Sequence, residues 1–167
     1  MNEIKRDLQD ILSQKLGKGK VIILIGPRQV GKTTLLQKLL SEFTAEKSVQ
    51  YWNCDEADVR KILADESSAR MKSFVGNSKF IVIDEAHRVL NIGLKLKILH
   101  DNFPDVQIAV TGSSALDLSN TINEPLTGRK FEYNLFPFST NELVHNYSML
   151  EEMKQLETRL IYGFYPD

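Results

Sequence analysis

The chain has 167 residues, 42% of them hydrophobic, enough for one compact domain with a substantial core and short for two. A formal net charge of -1 gives no global attraction to a nucleic-acid backbone, so charge does not indicate a nucleic-acid partner. No apolar run reaches the roughly eighteen residues of a membrane span, and the single cysteine, Cys54, excludes an internal disulfide; a soluble, cytoplasmic protein without a membrane partner is expected.

Ile4, Leu8, Ile11 and Leu12 recur at helical spacing and predict an amphipathic helix over about 3–16, ended by the Gly17–Gly19 turn. Val21–Ile25 is a short, continuous apolar run, the pattern of a strand covered on both faces in a parallel sheet. It runs directly into Gly26-Pro27-Arg28-Gln29-Val30-Gly31-Lys32-Thr33, which satisfies Gly, four residues, Gly, Lys and Ser or Thr. The four fixed positions coincide in a chain this long about once in two hundred trials. Here the pattern also stands where its chemistry requires, between a strand and a helix.

Such a loop turns successive backbone N–H groups toward phosphate oxygens, and the dipole of the following helix favours the same negative charge. Lys32 then neutralises the β- and γ-phosphates of a nucleotide, and the Thr33 hydroxyl offers magnesium a hard oxygen ligand. Arg28 lies within reach of phosphate or of a neighbouring carboxylate, or is simply exposed. Thr34 follows at the helix start as a further nucleotide-binding candidate, against the commoner reading that it caps or packs.

Leu35, Leu36, Leu39, Leu40 and Phe43 line one face of the next helix. Val49–Trp52 reads as a second strand, and residues 56–74 as a polar helical segment carrying Val59, Ile62 and Leu63. Phe80–Ile83 is a third strand that ends on two carboxylates, Asp84 and Glu85. Beside a phosphate loop, Asp84 is expected to hold magnesium, generally through water, and Glu85 to orient or deprotonate the attacking water. His87 stands one turn on, placed either to meet the γ-phosphate or to pack at a helix start.

A third helix is expected over 89–101, and Gln107–Val110 forms the fourth strand, tipped by Thr111-Gly112-Ser113-Ser114. Ser113 is the candidate there for sensing the γ-phosphate, against the simpler reading of a glycine turn with Ser114 as a cap. Residues 115–129 read as mostly irregular, and Arg129 beside Gly128 is a candidate for transition-state charge, in its own or a neighbouring subunit. Phe131, Tyr133 and Leu135 alternate in a fifth strand, and Ser139 with Glu142 forms a capping-box signature. From there Leu143, Tyr147, Leu150, Met153, Leu156 and Leu160 continue a stripe predicting one helix over about 140–162. Strands alternating with helices imply a three-layer α/β domain with a parallel sheet, its core over about 20–138.

The segments GPRQVGKTTLL, FIVIDEAHRV, IAVTGSSALDL, LTGRKFEYNLFPFSTNEL and LIYGFYPD together resemble the bacterial and archaeal AAA-like P-loop ATPases, within the signal-transducing ATPases with numerous domains (STAND). The resemblance runs from residue 26 to the end. It implies a five-stranded parallel sheet of order 5-1-4-3-2, Walker A and Walker B motifs, and an ATP-hydrolysing switch that uses ATP and magnesium. It also implies that a C-terminal effector domain follows the segment ending at Asp167, and it allows a homo-oligomer. Two alternatives stay open: a helicase-like, nucleic-acid-stimulated motor, on the Asp84-Glu85-Ala86-His87 box, and a nucleotide-gated binding module with little hydrolysis. A GTPase is disfavoured because no Asn-Lys-x-Asp segment occurs.

Overall fold

The computed structural model describes residues 4–43, 48–64, 68–113 and 122–166. Five strands, β1 (Val21–Ile25), β2 (Val49–Asn53), β3 (Phe80–Asp84), β4 (Gln107–Gly112) and β5 (Lys130–Asn134), form one sheet in the order β2-β3-β4-β1-β5. Every neighbouring pair is parallel, in a register that sets Ile23 and Ile83 beside Val110 and Leu24 beside Tyr133. From its other edge the order reads 5-1-4-3-2, as the resemblance implied.

Side-chain alternation along the strands sorts the core into two halves. Ile23, Ile81, Ile83, Ile108 and Val110 face one layer, where Leu63, Met71, Ile92, Leu96 and Leu99 pack. These come from α3 (Ala57–Ala64), α4 (Ser68–Val75) and α5 (Ile92–Asn102). Ile22, Leu24, Phe80, Val82 and Ala109 face the other, covered by Leu12 of α1 (Asp7–Ser13) and by Leu35, Leu36, Leu39 and Leu40 of α2 (Lys32–Phe43). Covering helices on both faces explain why β1, β3 and β4 are buried throughout and carry continuous apolar runs rather than alternation. Among the described residues no helix is long and apolar enough to cross a membrane.

The structure corrects several boundaries. The first helix is shorter than expected, and its chain leaves through Gly17 and Gly19, both at positive φ. The segment at 56–74 holds two helices rather than one. The helix expected over 89–101 begins only at Ile92, after a single 3-10 turn (Ala86–Arg88). Glu85 and Asn91 both adopt left-handed backbone, which interrupts helical hydrogen bonding on either side of that turn. Of the stretch read as irregular, residues 114–121 lie outside the described residues, Ser114 among them. Ile122 and Leu126, by contrast, are fully buried core residues.

The C-terminal helix is two: α6 (Thr140–Asn146) and α7 (Met149–Tyr162). The break is chemical, because the Ser148 side chain accepts a hydrogen bond from the Glu151 N–H and so caps a new helix. It also ends the apolar stripe as a buried feature. Leu143 of α6 is fully buried, whereas Met153 and Leu160 of α7 are 67% and 73% exposed.

Candidate functional site

Because all five strands are parallel, their C-terminal ends share one edge, and Ile25, Asp84 and Gly112 open onto it. The phosphate-binding pattern lies there, between β1 and α2. Gln29 and Gly31 take positive φ, which turns the loop inward ahead of α2. Gly26 serves differently: a Cβ added there would stand 2.1 Å from the Leu135 carbonyl oxygen. The loop root is thus held by close backbone approach, with Gly26 N–H donating to Gly112 O at 3.3 Å and Leu135 N–H to Ile25 O at 2.7 Å.

Lys32 is buried and folds back on the loop, its Nζ donating to Gly26 O at 3.0 Å and Pro27 O at 2.7 Å. Burial lowers its pKa from the ordinary lysine value, while the nearby Glu85 and Asp84 carboxylates pull the other way. Pro27, Arg28 and Gln29 are exposed around the loop, Val30 is buried beneath it, and Thr34 is exposed on the outer side of α2.

Asp84 is the centre of the acidic edge. Its Oδ2 accepts from Thr33 Oγ1 at 2.9 Å and from the Tyr51 hydroxyl. Its Oδ1 accepts from the Thr111 hydroxyl and from the Glu85 N–H at 3.2 Å. Burial and the hydrogen bond to Asp84 together push the Tyr51 phenol above its ordinary pKa. Two hard oxygens, the Thr33 hydroxyl and the Asp84 carboxylate, so close together fit magnesium completed by phosphate and water. Among the described residues no group of three or more His, Cys, Asp and Glu forms a separate cage.

Glu85 occupies left-handed backbone at φ 52, which ends the strand there. Its Oε2 lies 3.1 Å from His87 Nδ1 but without hydrogen-bond alignment. The Glu85 carboxylate therefore keeps a buried oxygen with no hydrogen-bond partner among the described residues. Cys54 is a packed thiol, its pKa pushed up to about 12 by burial and by Asp84.

Two sequence candidates fall differently. Ser113 sits just past β4 on the correct edge, but Thr111, two residues earlier, is the hydroxyl that meets both Asp84 and the Glu85 N–H. Arg129 lies at the opposite edge, its carbonyl receiving the Val21 N–H and its Nε bonded to Asp101 at 2.9 Å. Five strand residues at about 3.3 Å each separate that edge from the loop. The Arg129 guanidinium is thus held about a strand length from the phosphate loop of its own chain.

Sequence reasoning missed Thr111, Tyr51 and Arg6. Thr111 was legible as a hydroxyl at the right strand tip; Tyr51 carries a polar tip on the strand face it shares with Asn53. Arg6 carried no local signal. Buried, it donates to Val30 O at 2.9 Å, Phe136 O at 2.5 Å and Glu142 Oε1 at 2.9 Å, and lies over the Phe138 ring.

A cavity of about 320 Å³ flanks the outer side of the loop, between Val30, Gly31, Thr34 and Leu35 on one wall and Phe138, Tyr165 and Pro166 on the other. A larger depression of about 700 Å³, around Lys20, Lys79 and His100, lies at the far edge of the sheet, away from the phosphate loop, Asp84 and Glu85.

Residues 18–144 match the AAA domain family. Two uncharacterized proteins, of Mycobacterium tuberculosis and Mycobacterium bovis, are 33% identical over 126 residues, covering 75% of this chain and 27% of theirs. The chain thus spans about a quarter of the length of these relatives. Among solved structures, the Walker-type ATPase PABY2304 of Pyrococcus abyssi superposes with a TM-score of 0.60 at 17% identity, over 93% of this chain and 59% of that one. Domain III of the replication initiation protein DnaA from Thermotoga maritima gives 0.60 at 14% identity, over 92% and 73%. At such identities these likenesses establish the fold, a P-loop NTPase sheet. With the loop, the acidic strand end and the family match in one place, the chain belongs to the AAA domain family.

Proposed function

We propose that the chain binds ATP with magnesium and hydrolyses it, as a switch for a domain beyond this segment. The observation that carries the reading is the convergence of Lys32, Thr33, Asp84 and Glu85 at one sheet edge, with Thr33 and Asp84 in direct hydrogen bond. On this reading the loop N–H groups from Gly26 to Thr33 receive the phosphates, and Lys32 exchanges the Gly26 and Pro27 carbonyls for β- and γ-phosphate oxygens. Thr33 and Asp84 hold magnesium, which neutralises charge on the phosphates. Glu85 offers its unpartnered oxygen to the attacking water and takes its proton. Ser113, at the neighbouring strand tip, is the candidate for sensing the γ-phosphate.

The 320 Å³ cavity beside the loop suits the nucleoside, with apolar walls from Leu35 and Phe138. Its far wall comes from the segment after α7, whose Phe164 carbonyl accepts the Phe138 N–H at 2.7 Å. This is the support for a switch of the STAND kind: nucleotide contacts would reach the C-terminal segment directly. The exposed apolar face of α7 is a suitable surface for an effector domain.

Lys32→Ala is expected to slow phosphate release by roughly 10²–10³-fold, the size of losing one preorganised charge donor. Turnover at the wild-type rate in a folded Lys32→Ala protein would overturn the assignment. Stimulation of turnover by added DNA or RNA would instead favour the motor reading.

A further inference from the structure

An ionised carboxylate accepts about four hydrogen bonds, and Asp84 already accepts four. Thr111 and the Glu85 N–H meet one oxygen; Thr33 and Tyr51 meet the other. A metal-bound water that donates to Asp84 must take a place one of these four now fills.

The four donors differ in how readily they leave. The Glu85 N–H is fixed by the backbone of the same strand end. Thr111 is fully buried on the central strand β4. Thr33 can turn a lone pair to a metal and still donate its proton to Asp84. Tyr51 stands on β2, an edge strand, and is 40% exposed, so its ring can swing into solvent at little packing cost.

Resting on the reading of Thr33 and Asp84 as the magnesium site, we propose that Tyr51 is a displaceable hydroxyl. It holds Asp84 in the metal-free state and must release it for the magnesium nucleotide to bind. Tyr51 is then a positioning residue whose hydrogen bond is lost on loading, so it sets how much magnesium tightens nucleotide binding. Its edge-strand location makes the tip of β2 the part of the sheet that responds to the metal.

The test needs no turnover. A fluorescent ADP analogue is titrated into the wild-type chain and into Tyr51→Phe, once in excess magnesium and once in chelator. In wild type, magnesium tightens binding. In Tyr51→Phe the chelator affinity is unchanged, and the tightening by magnesium grows by roughly three- to tenfold, the equivalent of one hydrogen bond no longer broken. In wild type alone, tyrosine absorption shifts on adding ADP with magnesium but not ADP with chelator, and Tyr51→Phe lacks that shift. An unchanged or smaller magnesium effect in Tyr51→Phe, or no absorption shift in wild type, overturns the proposal while leaving the site reading intact. Absence of any magnesium effect in wild type overturns the site reading and the proposal with it.

Discussion

Replacing Glu85 by glutamine is expected to slow ATP hydrolysis by roughly 10²–10⁴-fold, the usual contribution of a positioned general base, while nucleotide affinity holds. The substitution preserves size while removing the carboxylate charge and, with it, the ability to take a proton. Glu85 makes no hydrogen bond to the loop, and Lys32, Thr33 and Asp84 keep their own contacts, so the binding apparatus is left intact. Left-handed backbone at residue 85 is also tolerated by glutamine, since Gln29 adopts it in this same chain. Single-turnover phosphate release, read beside binding of a fluorescent nucleotide, separates the two effects. Equal release rates in Glu85→Gln and wild type would remove Glu85 from the chemistry.

Arg6→Met is expected to cost about 3–5 kcal/mol of stability, because it strands a buried carboxylate. For a chain of this size that lowers the melting temperature by roughly 10 °C. The Arg6 guanidinium joins the start of α1, the Val30 carbonyl of the phosphate loop, the Phe136 carbonyl after β5, and Glu142 of α6. Methionine fills similar volume but satisfies none of these acceptors, so the loss is electrostatic rather than a cavity. Nucleotide affinity should fall as well, since Val30 then loses its anchor beneath the loop. The double variant Arg6→Met/Glu142→Gln should lose less than the sum of the two single changes, as expected of directly coupled groups. A melting temperature within about a degree of wild type for Arg6→Met would show the network to be unimportant.

The same network gives an acid dependence. Burial alone would raise the Glu142 pKa, but the Ser139 and Asp7 N–H groups and Arg6 outweigh it and leave it below the ordinary glutamate value of 4.5. Its contribution is therefore complete above that value and is lost as the pH falls through the lowered folded pKa. Thermal melting against pH should show the gap between wild type and Glu142→Gln closing in acid. A gap that stays constant down to strongly acidic pH would contradict this.

The phosphate loop, the acidic end of β3 and the five strands were legible because each is written in adjacent residues. A run such as Val21–Ile25 reports its own burial, and the glycine pattern reports the loop that follows. The capping box at Ser139 and Glu142 was equally local, and both of its hydrogen bonds form. The division of the last helix at Ser148 was harder, because Leu143, Tyr147 and Leu150 keep helical spacing across the break. Spacing records which residues are apolar, and only packing records which of them are covered.

The sequence by itself determined the chemistry available at this site and the elements that carry it. The tertiary structure decided which groups meet. It carried Arg129 to the far edge of the sheet, because a parallel strand's first residue lies a strand length from its last. It set the Thr111 hydroxyl against Asp84, and it brought in Tyr51 and Arg6. Arg6 and Glu142 are 136 positions apart in the chain, and no local pattern encodes a contact across such a separation. Such pairs form where a charge leaving water finds its hydrogen-bond partners already held by the folded backbone.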